Sequence, residues 1–244
     1  MLKLREAKLV ESERGLREIP EGKILINCLN AYSYNVAQKD SLFAESLIRG
    51  DYLIPDGASI VMACKWLKAK SQPQRRIAGW DLFAYEMQRL DGKSKKEEVK
   101  SKVMFIGSSE KVLALIRERA KLDFPHIEVE TYSPPYKKVF SDEDDQAIIK
   151  VINDTNPDLL WIGMTAPRQE KWIYTHWDNL NIQCHVGTIG AVFDFYAGTA
   201  KRAPIWWQEH SLEWLFRLLM EPSRMWRRYL IGNPLFLWNI LRER

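Results

Sequence analysis

Residues 103–120 read VMFIGSSEKVLALIRERA. Val103–Gly107 is a short apolar run ended by a Gly-Ser-Ser turn, which predicts a buried strand. Beyond the turn, Val112, Leu113, Leu115, Ile116 and Ala120 recur at helical spacing. Strand, tight loop and helix in that order make the repeating unit of a parallel sheet. The same alternation extends outward. Further strands are expected at Lys23–Leu29, Ile127–Thr131, Leu159–Met164 and Cys184–Gly187. Asp142 and Asp145 stand at the start of a helix carrying Ile148, Ile149 and Ile152, and Asn156-Pro157 closes it. Pro167 opens another helix, with Trp172, Ile173 and His176. The expected fold is α/β, a mostly parallel sheet flanked by helices. Asp91–Lys102, with its run GKSKKEEVKSK, reads as a solvated linker or a frayed helix end.

The chain has 244 residues, 46% hydrophobic and 28% charged, a composition that builds a core and excludes a disordered chain. Cys28, Cys64 and Cys184 lie far apart without a CxxC pair, which argues against a disulfide framework or zinc site and fits a reducing compartment. The first twenty residues are rich in charge, so a signal peptide is not expected. No run of about 18 apolar residues occurs, so no spanning helix is expected either. The four histidines have no ligand spacing. The acidic run Asp142–Asp145 follows Ser141, and helix capping accounts for it better than metal binding does.

The C-terminal quarter differs in character. From Lys201 on, eight Lys and Arg face four Glu, a surplus equal to the whole chain's net charge of +4. A division into a core over 1–200 and a helical appendage over 201–244 follows. Leu212, Leu215, Phe216 and Leu219 form an apolar stripe, and Glu221-Pro222 interrupts it. Arg224 and Arg228 are four apart and share a helical face, with Arg227 beside them. A cationic segment rich in Trp, Leu and Phe suits a membrane surface. A C-terminal helix docked on the core with solvated arginines is an equally good account.

Asn30 ends the first strand, and Asp56 lies in Ile54-Pro55-Asp56-Gly57. Strand ends are where ligands bind in open α/β sheets, and a carboxylate there can serve as a general base. Pro-Asp-Gly is also a turn signal, and on pattern alone the turn is favoured. The loop at Gly107 is placed to set backbone N–H groups against a phosphate, but it lacks the fingerprints of dinucleotide or ATP binding. The loop Gly163–Glu170, GMTAPRQE, combines a glycine, Pro167 at a helix start and the polar pair Gln169-Glu170. Its plainer account is a strand–helix connection with an acid at the helix N-terminus.

Together these segments resemble the TagA/WecG/CpsF family of bacterial glycosyltransferases. The resemblance runs from Ile24 to Tyr229 and rests on five pieces: NCLNAYS at 27–33, Pro55-Asp56-Gly57, Arg76-x-x-Gly79-x-Asp81, Gly163–Trp172 and Gly187–Tyr229. It implies a Rossmann-like core and inverting transfer of a sugar from a UDP donor to an undecaprenyl-diphosphate-linked saccharide in cell-surface polysaccharide biosynthesis. It also implies no metal cofactor and a peripheral position on the cytoplasmic face of the membrane, reached through the C-terminal appendage. Residue by residue, it makes Asp56 the catalytic base and Asn30 its polar neighbour. It makes Gln169 a donor-side ligand and Arg217, Arg224 and Arg228 the appendage arginines. Arg76, Gly163, Pro167, Asp194 and Arg202 fall in the matching motifs as substrate-binding positions, and Gly107 is a further substrate-binding candidate from its loop between strand and helix. Cys28 stands where many members have Thr, so a hydroxyl contact to donor or acceptor is not carried over, and N-acetylmannosamine, its uronic acid and glucose all stay open as the sugar. A homo-oligomer is left open.

Two other classes compete. One is a membrane-tethered nucleotide-binding regulatory module without catalysis, which a dispensable Asp56 would favour. The other is a nucleic-acid binder, suggested by a pI near 8.8. The basic residues interleave with Leu, Phe and Trp instead of forming a broad positive face, so no nucleic-acid partner is expected.

Overall fold

The computed structural model describes residues 1–243; Arg244, one of the basic residues counted above, lies outside them. Six strands form one sheet: β1 (Ile24–Leu29), β2 (Tyr52–Pro55), β3 (Ser101–Gly107), β4 (Ile127–Tyr132), β5 (Leu159–Gly163) and β6 (His185–Thr188), in the order β2-β1-β6-β5-β3-β4. The pairs β1–β6, β6–β5, β5–β3 and β3–β4 are parallel. The α/β, Rossmann-like expectation holds. The helices are α1 (Glu13–Arg17), α2 (Ala31–Ala37), α3 (Ser41–Ile48), α4 (Ala58–Leu67), α5 (Gly79–Glu97), α6 (Glu110–Asp123), α7 (Asp142–Thr155), α8 (Arg168–His176) and α9 (Gly190–Ala197). After them come α10 (Ile205–Glu209), α11 (Glu213–Met220), α12 (Pro222–Trp226), a π turn (Arg227–Ile231) and α13 (Gly232–Glu243).

The chain divides into two compact units. The first comprises Met1–Glu18, Cys28–Ala78 and Lys201–Arg244; the second comprises Ile19–Asn27 and Gly79–Ala200. In the second unit β3 and β5 are buried on both faces over most of their length and read as apolar runs, whereas the edge strand β4 carries exposed Glu128 and Glu130. Side chains alternate along each strand. Met104, Ile106, Leu160 and Ile162 join Ile148, Ile152 and Ile173 on one face. Phe105 meets Phe193 and Phe83 on the other, and Phe83 packs on Trp161 and Tyr196 at ring separations of 5.6 and 4.8 Å. Ser141 caps α7 in a full capping box with Asp144, so the acidic run is a helix start, and Asp145 accepts from the Trp172 indole at 2.8 Å. The segment Asp91–Lys102 is corrected: α5 continues to Glu97 and β3 begins at Ser101. Ser94 is buried there and its hydroxyl bonds Ser101 Oγ, so a polar sequence conceals a packed helix end.

In the first unit α13 packs on α2. Phe236 stands edge-on to Tyr34 at 5.4 Å, Asn35 donates to Gly232 O at 2.7 Å, and Asn239 donates to Asn35 Oδ1 at 3.0 Å. The Tyr34 hydroxyl bonds Glu243, and burial, first of all, raises its pKa. Residues from Lys201 on are therefore docked within this unit, yet many of their apolar side chains stay outside. Trp206, Leu237 and Trp238 are 56%, 62% and 59% exposed, and Leu219, Met220, Leu230 and Leu241 are exposed as well. No helix among the described residues is long and apolar enough to cross a membrane.

Candidate active site

Asp56 follows β2 directly. Its N–H donates to Leu29 O at 2.8 Å, and Gly57 takes φ +151°, a conformation glycine reaches without a Cβ penalty. Pro55-Asp56-Gly57 is thus a turn, and the turn carries a partly buried carboxylate at a strand end. Asn30 has two tasks. Its Oδ1 caps α2 by accepting from the Ser33 N–H at 3.0 Å and hydroxyl at 3.2 Å, while its Nδ2 donates to Asp56 Oδ2 at 3.5 Å. Burial raises the Asp56 carboxyl above the ordinary Asp range and Glu213 adds to the rise; Asn30, Arg76 and Arg228 oppose it.

Glu213 was not legible as a site residue. It stands in the first turn of α11, where an acid normally serves the helix dipole. Instead it pairs with Arg76 Nη1 through Oε2 at 2.8 Å, and both side chains are largely buried. The appendage also delivers Arg228 from the π turn. Its guanidinium lies 4.8 Å from the Tyr32 ring centroid and 5.9 Å from that of Tyr229. Burial pushes its pKa below the usual value, with Arg217 acting in the same direction, while Tyr229, Asp56 and Tyr32 draw it up. Arg228 Nε is buried without a hydrogen-bond partner among the described residues. Asn30, Asp56, Arg76, Glu213 and Arg228 thus form one charged cluster within the first unit, with Arg217 beside Arg228.

Arg224 lies apart from Arg228 in its surroundings. Its side chain is 62% exposed and pairs with Glu221 at 2.8 Å. Four residues apart, the two arginines differ in surroundings: Arg224 stands on α12 in an exposed ion pair, and Arg228 in the π turn that begins at Arg227 has a buried Nε. Arg202 is partly buried in the extended stretch before α10, and Cys28 is buried near the end of β1.

The other expected positions lie in the second unit. A Cβ at Gly107 would sit 2.4 Å from Gly163 O, and one at Gly163 would sit 2.7 Å from the Phe193 ring. These glycines let the paired ends of β3 and β5 approach and the Phe193 ring of α9 press against β5. Pro167 stands at the N-cap of α8. Gln169 is buried, with Oε1 accepting from Met164 N–H at 3.2 Å and Nε2 donating to Glu170 Oε1 at 2.9 Å. Its amide therefore braces the loop after β5. Glu170 is buried as well; its Oε2 has no hydrogen-bond partner among the described residues, and burial pushes its carboxyl up to about 7. Asp194 closes α9, accepting the Thr199 hydroxyl on Oδ1 at 3.2 Å and the Thr199 N–H on its carbonyl at 3.0 Å. Among the described residues no group of three or more His, Cys, Asp or Glu is arranged to hold a metal ion.

Residues 4–244 match the family described as the glycosyl transferase WecG/TagA/CpsF family. The chain belongs to that family. It is 35% identical over 208 residues, 85% of this chain and 74% of the relative, to an N-acetylglucosaminyldiphosphoundecaprenol N-acetyl-beta-D-mannosaminyltransferase of Bacillus spizizenii. Proteins with the same description in Bacillus subtilis and Staphylococcus aureus strain MW2 are each 28% identical. The matches cover 90% and 91% of this chain and 79% and 81% of those relatives. As a member of this glycosyltransferase family, the chain carries its charged cluster and its 163–170 loop inside the matched region.

Proposed function

We propose that this chain is an inverting hexosyltransferase that moves an N-acetyl-D-mannosaminyl group from a UDP donor to an N-acetylglucosaminyl-diphospho-undecaprenol acceptor. The relatives' named activity supports the choice of sugar and acceptor. The observation that carries the chemistry is the Asp56 carboxylate at the end of β2, within the electrostatic reach of Arg228 and with that guanidinium's Nε buried and unmet. In the proposed step the acceptor hydroxyl oxygen bonds to the anomeric carbon and its proton passes to the Asp56 carboxylate. The bond from that carbon to the diphosphate oxygen breaks, and its electron pair leaves with UDP. Attack opposite the leaving group inverts the configuration.

Charge develops on the departing diphosphate, and fixed donors aimed at such charge lower the barrier most. Arg228, Arg217 and Arg76 are the proposed donors, so the transfer proceeds without a metal ion. The exposed Trp and Leu side chains of α10–α13, together with exposed Arg224 and Arg227, are proposed to seat the enzyme on the cytoplasmic membrane surface beside its lipid-linked acceptor. A regulatory module without catalysis is not favoured, because the relatives are named for a transfer reaction.

The test is a panel of UDP-sugars offered with a short-chain N-acetylglucosaminyl-diphospho-lipid in excess EDTA. Transfer from UDP-N-acetylmannosamine with an inverted linkage is expected. Transfer from another UDP-sugar alone would overturn the sugar assignment. Loss of activity that Mg²⁺ or Mn²⁺ restores would overturn the metal-free step.

A further inference from the structure

The Arg76–Glu213 ion pair joins the loop after α4 to the start of α11 inside the charged cluster. Both charges of this pair act on Asp56. A guanidinium left alone beside Asp56 would hold that carboxylate ionised and make it a poor proton acceptor. A carboxylate bonded to the same guanidinium offsets that pull. The pair is only about one-fifth exposed on either side, so solvent screens it weakly.

We propose that Glu213 is a positioning residue of the transfer site, holding Arg76 by its ion pair and keeping a second negative charge beside the Asp56 carboxylate. The inference rests on Asp56 being the base. The groups that act on Asp56 are Asn30 from the first strand end, Arg76 from the loop after α4, Glu213 from α11 and Arg228 from the π turn. Arg217, Tyr32 and Tyr229 act in turn on Arg228. Of these, Glu213 alone adds negative charge beside Asp56 at neutral pH; its removal therefore has one sign. The carboxylate becomes easier to ionise and weaker as a base.

The experiment is the pH profile of kcat/KM for the full chain with a water-soluble acceptor, measured for wild type, Glu213→Gln, Glu213→Asp and Asp56→Asn. In Glu213→Gln the acid limb is expected to move to lower pH by about one unit, with a reduced plateau in kcat and a KM that does not rise. Glu213→Asp keeps the charge and is expected to hold the limb in place while recovering part of kcat. An acid limb unmoved in Glu213→Gln overturns the inference. If that variant fails to fold, a limb displaced in Glu213→Asp overturns it instead. Asp56→Asn separates the two readings. Activity retained there removes the base assignment itself, whereas a dead Asp56→Asn with an unmoved Glu213→Gln limb removes only the role of Glu213.

Discussion

Burial lifts two carboxyl groups above their ordinary range, Asp56 in the first unit and Glu170 in the second. Glu170 gives a prediction independent of catalysis. Its folded pKa of about 7 lies above the unfolded value of 4.5, so the neutral form is favoured by folding. The stability it contributes is fully present below pH 4.5 and is lost as pH rises through about 7. Glu170→Gln should flatten the unfolding free energy across that window, where the wild type declines by up to about 3 kcal/mol. Denaturant titrations at pH 4.5 and 8 check this; equal declines in both proteins would contradict it. The same residue shows what spacing hides. Gln169-Glu170 reads as a polar pair offered to a ligand, but the two side chains hydrogen-bond to each other inside the protein. Glu213 is the opposite case, an ordinary first-turn acid by sequence and a member of the charged cluster by position.

At the scale of elements, five of six strands were legible; β1, β3 and β5 are written as apolar runs because they are buried, whereas the edge strand β4 sets exposed Glu128 and Glu130 between Ile127, Val129 and Thr131. β2 was not: it has four residues, ends in Pro55, and was seen only as the turn that follows it. The arginines divide by element too. Arg228 leaves the π turn half-buried with an unmet Nε, while Arg224 leaves α12 exposed and ion-paired. Arg228→Ala should remove a charge-assisted hydrogen bond to diphosphate, about 1.5–3 kcal/mol or roughly ten- to a hundred-fold in kcat/KM. Arg224→Ala should cost under about 1 kcal/mol on a water-soluble acceptor, since exposed pairs contribute little. Kinetics of the two variants side by side check the distinction, and equal losses would contradict it.

For the whole molecule, residues from Lys201 on cluster with Met1–Glu18 and Cys28–Ala78. Cutting the chain at Ala200 would strip α13 from Tyr34 and Asn35, so truncation confounds folding with function. Substitution of exposed side chains avoids that. A fully inserted Leu contributes about 1.5–3 kcal/mol, so Leu237→Ser combined with Trp238→Ser should weaken binding to anionic vesicles at least roughly tenfold. Transfer to a water-soluble acceptor should hold near wild type. Unchanged vesicle flotation would contradict the proposed membrane seat. The central claim is that Asp56 takes the acceptor proton. It is tested most directly by kcat/KM for Asp56→Asn with UDP-N-acetylmannosamine and a soluble acceptor, in protein whose melting curve matches wild type. The account predicts a loss of about 10² to 10⁴; activity kept within a few-fold of wild type across pH would contradict it.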